Sequence, residues 1–104
     1  MTLFFFYKHL TNLALLKKIH AKFEVIEGYI LVQSYDNEND ILVLGNNSDT
    51  ILHGKLVKFD STVEHVVNQI NTIEECKLKN DKYTLDTVWV NAEYGGVYKA
   101  YIIY

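Results

Sequence analysis

The run LFFFY at positions 3–7 constrains the fold of this chain more than any other feature. A short, continuous apolar stretch rich in aromatics, without the alternation of a half-exposed strand, suits a central strand buried on both faces. It stops at Lys8, and what it delivers at its end is the first functional question.

The remaining segments supply elements to pack against it. TNLALLKKI places Leu10, Leu13, Leu16, Ala14 and Ile19 near helical spacing and reads as a short helix or turn. AKFEVIEG and YILVQSY read as two strands, or one bent at Gly28. DNEND and GNNSD are turns by their chemistry, with the short strand ILVL between them. TILHGKLVKF reads as a strand with Gly54 inside it, a position that marks a bulge or a close approach of backbone.

From Ser61 to about Ile73, the apolar residues Val63, Val66, Val67, Ile70 and Ile73 fall on one face of a helix. Ser61 with Glu64 three residues on matches a capping box at its start. YTLDTVWV and VYKAYIIY, joined by NAEYGG, form a hairpin whose paired glycines can take positive φ. The expectation is a single α+β domain over residues 1–104, a small curved mixed sheet or β-barrel with one main amphipathic helix and a short second one.

Composition narrows function. The chain of 104 residues is 49% hydrophobic, with eight Tyr and five Phe, and its size suffices to bury roughly 65% of the unfolded surface in one core. All ten basic residues are lysines and the net charge is −3. Without arginine or a basic stripe, nucleic acid is not the expected partner. No stretch approaches the length of a membrane-spanning helix. MTLFFFY lacks the basic start and small-residue cleavage site of a signal peptide.

Cys76 is alone, so no internal disulfide forms. The expected setting is the cytoplasm, or the host cytoplasm if this Arg-free, Pro-free and lysine-rich chain comes from a large virus rather than an A/T-rich bacterium.

His9, His20, His53 and His65 show no metal-ligand spacing, and no cofactor or hydrolase motif is present. No metal or cofactor is expected. Glu74 and Glu75 directly follow the amphipathic helix, flanked by Ile73 and Cys76. A carboxylate beside apolar neighbours has its pKa raised by desolvation, as a general base near neutral pH requires. Taken alone, the pair reads more simply as solvated charge.

The succession FFYKHL, YILV, ILHGKLVKFD, INTIEEC, a Tyr-led strand and YKAYIIY resembles the gamma-glutamylcyclotransferase-like family over nearly the whole chain. The family pattern is an aromatic strand ending Y-G-[ST]-L, a strand V-x-G-E-L-Y, a helix ending L-D-x-x-E and a strand opening near Y-x-R. Tyr7, Lys8, His9 and Leu10 fall on the first motif, His53 to Leu56 on the second, and Ile70 to Glu74 on the third, with Tyr83 as the strand-opening Tyr.

The resemblance implies a cavity in which backbone N–H groups of the Tyr7–Leu10 loop hold a carboxylate, with Tyr83 nearby. It implies Glu74 as the catalytic general base and acid, with Glu75 as the fallback if the register slips by one. The substrate class it implies is a gamma-glutamyl amine or amino acid, releasing 5-oxoproline. Four departures bear on this: Lys8 replaces a glycine, His9 a Ser or Thr, and Asn71 an Asp, while Thr84 and Leu85 stand where Arg is usual. The spacing from Glu74 to Tyr83 is also two or three residues longer than in the family. The alternatives are a module on the same fold that binds a small anionic ligand without turnover, and a partner-binding protein with no ligand.

Overall fold

A computed structural model describes residues 1–46, 48–73, 76 and 83–104. Among these, the strands are β1 (Thr2–Phe6), β2 (Phe23–Val32), β3 (Ser34–Asp36), β4 (Ile41–Val43), β5 (Thr50–Phe59), β6 (Leu85–Ala92) and β7 (Val97–Ile103). The helices are α1 (Leu13–Leu16) and α2 (Val63–Thr72), with a 3₁₀ turn at His9–Thr11 before α1.

Five strands close into a mixed barrel in the order β1-β5-β2-β6-β7. β1 lies antiparallel to β5 and parallel to β7, with Phe4 beside Tyr101. β3 and β4 form a separate two-stranded hairpin. The α+β expectation holds, and it resolves to a closed barrel rather than an open curved sheet.

Strand alternation then sorts the apolar residues into two cores. Phe5, Ile30, Leu52, Leu56, Val90 and Ala100 belong to one buried cluster drawn from all five barrel strands, which is the barrel interior. Phe4, Phe6, Val57 and Phe59 face the opposite way and pack with Leu10, Leu16, Ile19, Val66, Val67, Ile70 and Ile73 beneath the helices. β1 is therefore buried on both sides, as its unbroken aromatic run requires. The Phe4 and Phe6 rings stack at 5.5 Å, and both meet Phe59 edge-on.

At Gly54, β5 passes close to the end of β1. A Cβ there would stand 2.2 Å from the Phe6 carbonyl oxygen and 2.7 Å from the Phe5 ring. No side chain fits, so the strand glycine marks a close backbone approach, as its sequence position suggests. β2 runs unbroken through Gly28, which pairs with Gly54 across the ladder. At the β6–β7 turn, Gly95 and Gly96 take φ of 99° and 91°, and the Ala92 N–H donates to the Gly96 carbonyl.

One local expectation needs correction. The cap of α2 is Thr62, whose hydroxyl accepts from the His65 N–H at 3.1 Å, so the Ser61/Glu64 capping box does not form. The Ser61 carbonyl instead accepts the Thr2 hydroxyl at 2.6 Å, tying the start of β1 to the entry of α2. In the first helical segment, Leu13 is 52% exposed and Ala14 also faces solvent. Asn12 caps α1 by accepting from the Ala14 N–H, which turns Leu16 inward in place of Leu13.

Candidate functional site

β1 ends in a cleft of about 390 Å³, within the size range of small-ligand sites. One wall is the segment after β1, with Tyr7, Lys8, His9, Thr11, Asn12 and Leu15; the other is the β3–β4 hairpin, with Tyr35, Asn37 and Asp40.

Local hydrogen bonding shapes both walls. The Lys8 carbonyl accepts from the Thr11 N–H and the Thr11 hydroxyl, at 2.9 and 2.6 Å, which folds the chain back directly after the strand. Lys8 itself has φ −128°, outside the left-handed region that would call for glycine. Lys8 therefore carries no positive-φ penalty.

On the opposite wall, the Asp36 carboxylate accepts from the N–H groups of Glu38 and Asn39 and from the Asn39 side chain. These bonds, the Asn39 side chain first, hold its pKa below the usual carboxylate range. The turn so fixed presents Asp40 at φ 55°, a conformation Asp tolerates better than most residues.

The two walls meet at two contacts. Tyr7 and Tyr35 pack edge to face at 5.3 Å, and the Lys8 ammonium forms an ion pair with the Asp40 carboxylate. The same ammonium lies 5.5 Å from the centre of the Tyr7 ring. Burial, together with the neighbouring Tyr35 and Tyr104, pushes the Tyr7 phenol up to about 12. It stays protonated at neutral pH.

The expected site residues divide. Tyr7, Lys8 and His9 line the cleft. Leu10 follows them in sequence, but its side chain is buried in the outer core. Tyr83 is 39% exposed at the entry to β6 and is not among the cleft-lining residues. Glu74 and Glu75 lie outside the described residues. The residues flanking them are fixed: Ile73 is buried in the cluster that contains Phe6 and Leu10, Cys76 packs against that cluster, and the Cys76 N–H donates to the Ile73 carbonyl at 2.9 Å.

Sequence reasoning missed the hairpin wall. Tyr35, Asn37 and Asp40 sit in and around a stretch that reads only as a turn, and nothing local pairs an acidic turn residue with a lysine more than thirty positions earlier.

Among the described residues, no group of three or more His, Cys, Asp or Glu side chains could hold a metal, and no helix is long and apolar enough to cross a membrane. Among the described cleft-lining residues Asp40 is the sole carboxylate. Comparison with known protein families, with curated proteins and with solved structures finds no match in any of the three. The likeness to the gamma-glutamylcyclotransferase-like family therefore rests on the order of its motifs.

Proposed function

We propose that this chain is a divergent gamma-glutamylcyclotransferase-like enzyme that releases 5-oxoproline from a gamma-glutamyl amine or amino acid. The observation that carries the reading is the end of β1. A strand packed on both faces leads directly into a small-molecule-sized cleft at Tyr7, Lys8 and His9, the residues that fall on the family's substrate loop.

A second observation supports the place of the base. Ile73 and Cys76, on either side of Glu74 and Glu75, belong with Phe6 and Leu10 in one packed region. In the proposed reaction Glu74 takes a proton from the substrate's α-amino group, and the freed nitrogen attacks the γ-carbonyl. As the γ-amide C–N bond breaks, Glu74 returns the proton to the leaving amine. Nucleophile and electrophile belong to one molecule, so the protein's task is to hold a reactive conformer.

The test is 5-oxoproline release from a panel of gamma-glutamyl amines and amino acids by wild type and Glu74→Gln. The near-isosteric change removes the proton acceptor, and a rate loss of roughly 10² to 10⁴ is expected. Undiminished turnover in the variant would move the role to Glu75 or discard it.

A second reading, a binding module without turnover, is favoured by one feature: the lysine at the position of the family glycine is ion-paired across the cleft. Saturable binding without product, from every member of the panel, would select it. Lys8→Gly then asks whether the lost glycine silenced the chemistry.

A further inference from the structure

The Lys8–Asp40 pair changes what the cleft can hold. A lysine at an anion site would ordinarily strengthen anion binding, but this lysine already faces a carboxylate across the cleft. A simple anion reaching Lys8 competes with Asp40 for it and comes to lie beside a like charge. A ligand bearing an ammonium group as well as a carboxylate has no such difficulty. Its two charges replace, one for one, the two that it separates.

The surroundings of the Lys8 ammonium are also those of an ammonium site in general. A carboxylate, Asp40, and the face of an aromatic ring, Tyr7, converge on the same nitrogen. That combination attracts an ammonium group. Tyr7 is held in turn by Tyr35 across the cleft, so the ring is fixed by the hairpin that carries Asp40.

We propose that Asp40 and the Tyr7 ring form an ammonium subsite, filled in this structure by the side chain of Lys8, and that the ligand is a zwitterion whose ammonium takes that place while Lys8 turns to its carboxylate. Asp40 is then a specificity-determining residue, and Lys8 is both a competitor for the subsite and the carboxylate partner. The inference rests on the reading of this cleft as the ligand site and does not depend on turnover.

Three probes separate the charges. L-Glutamine carries both, glutaramate keeps the carboxylate and amide but lacks the ammonium, and 4-aminobutanamide keeps the ammonium but lacks the carboxylate. Binding is followed through backbone amide shifts of Tyr7, Lys8 and Asp40. Glutamine should bind wild type more tightly than either other probe. Asp40→Asn should weaken glutamine about ten- to a hundredfold and leave glutaramate unchanged or tighter.

The discriminating result is Lys8→Met. It should weaken glutamine yet strengthen 4-aminobutanamide, because the internal competitor is gone, and a merely structural role for the pair would not produce that inversion. Equal affinity of wild type for glutamine and glutaramate overturns the proposal. So does an absence of shifts with all three probes, or a loss of 4-aminobutanamide binding in Lys8→Met.

Turnover keeps this test separate from that of the enzymatic reading. Asp40 favours the protonated, unreactive amine, so Asp40→Asn should raise KM without lowering kcat. Release of 5-oxoproline with an unchanged KM in Asp40→Asn leaves the enzyme standing and removes the subsite. The probe pattern above without any product leaves the subsite standing and removes the enzyme.

Discussion

β1 and β6 are both barrel strands rich in large apolar residues, yet they are held in different ways. β1 is paired along its length with β5 and at Phe4 with β7, it is packed on both faces, and Phe4, Phe5 and Phe6 are all buried. β6 is paired along its length with β7 but with β2 only at Asn91 and Ala92, and its Trp89 is 62% exposed. Of the β6 side chains, Val90 is the one fully buried. A strand packed on both faces holds the loop at its end more firmly than a strand with one face open to solvent, and the cleft lies at the end of the former.

The largest effect that can test this contrast is Phe5→Ala. Removing a fully buried ring from the barrel interior should cost about 3–5 kcal/mol, read from the midpoint and slope of urea unfolding. Gly54→Ala should follow at about 1–3 kcal/mol, because the added methyl meets the Phe6 carbonyl rather than a movable side chain. A Gly54→Ala protein as stable as wild type would show that β1 can shift, and with it the cleft. Trp89→Ala, on the open strand, should cost less than about 1 kcal/mol. Equal losses at Phe5 and Trp89 would abolish the contrast.

The smallest effect is one of pH. The Tyr7 phenol is raised in the folded state from 10.0 to about 12, so the folded chain keeps this proton where the unfolded chain has lost it. Its contribution to stability is complete below pH 10 and disappears as the pH rises from 10 through 12. Tyr7→Phe should flatten part of that decline, as measured by denaturant titrations at stepped pH. An unchanged alkaline profile would place the titration elsewhere.

Those expectations also show which parts of the molecule local sequence encodes. The aromatic run implied two covered faces because consecutive large side chains leave no polar side for water. Gly54 announced a close approach, Gly95 and Gly96 a turn, and Val66, Val67 and Ile70 the face of a helix. Each is a statement about neighbours in sequence.

The misreadings are of another kind. Ser61 and Thr62 are adjacent hydroxyl residues, and the choice between them was made by Thr2, whose hydroxyl reaches the Ser61 carbonyl from β1. Barrel closure through β1 and β7, and the pairing of Lys8 with Asp40, join segments with no local mark of their partnership. One wall of the cleft belonged to that second class, and so the hairpin was not legible as part of it.

The strand that presents the cleft is the first barrel strand to be synthesised, and the strand that closes the barrel beside it is the last. During translation, therefore, Phe4 has no Tyr101 to lie against until almost every other strand has been made. An aromatic segment that must wait in this way is exposed to other chains in the meantime, and pairing over so long a loop is slow. The burial that makes β1 the most secure element of the finished fold makes it the most vulnerable element of the unfinished one.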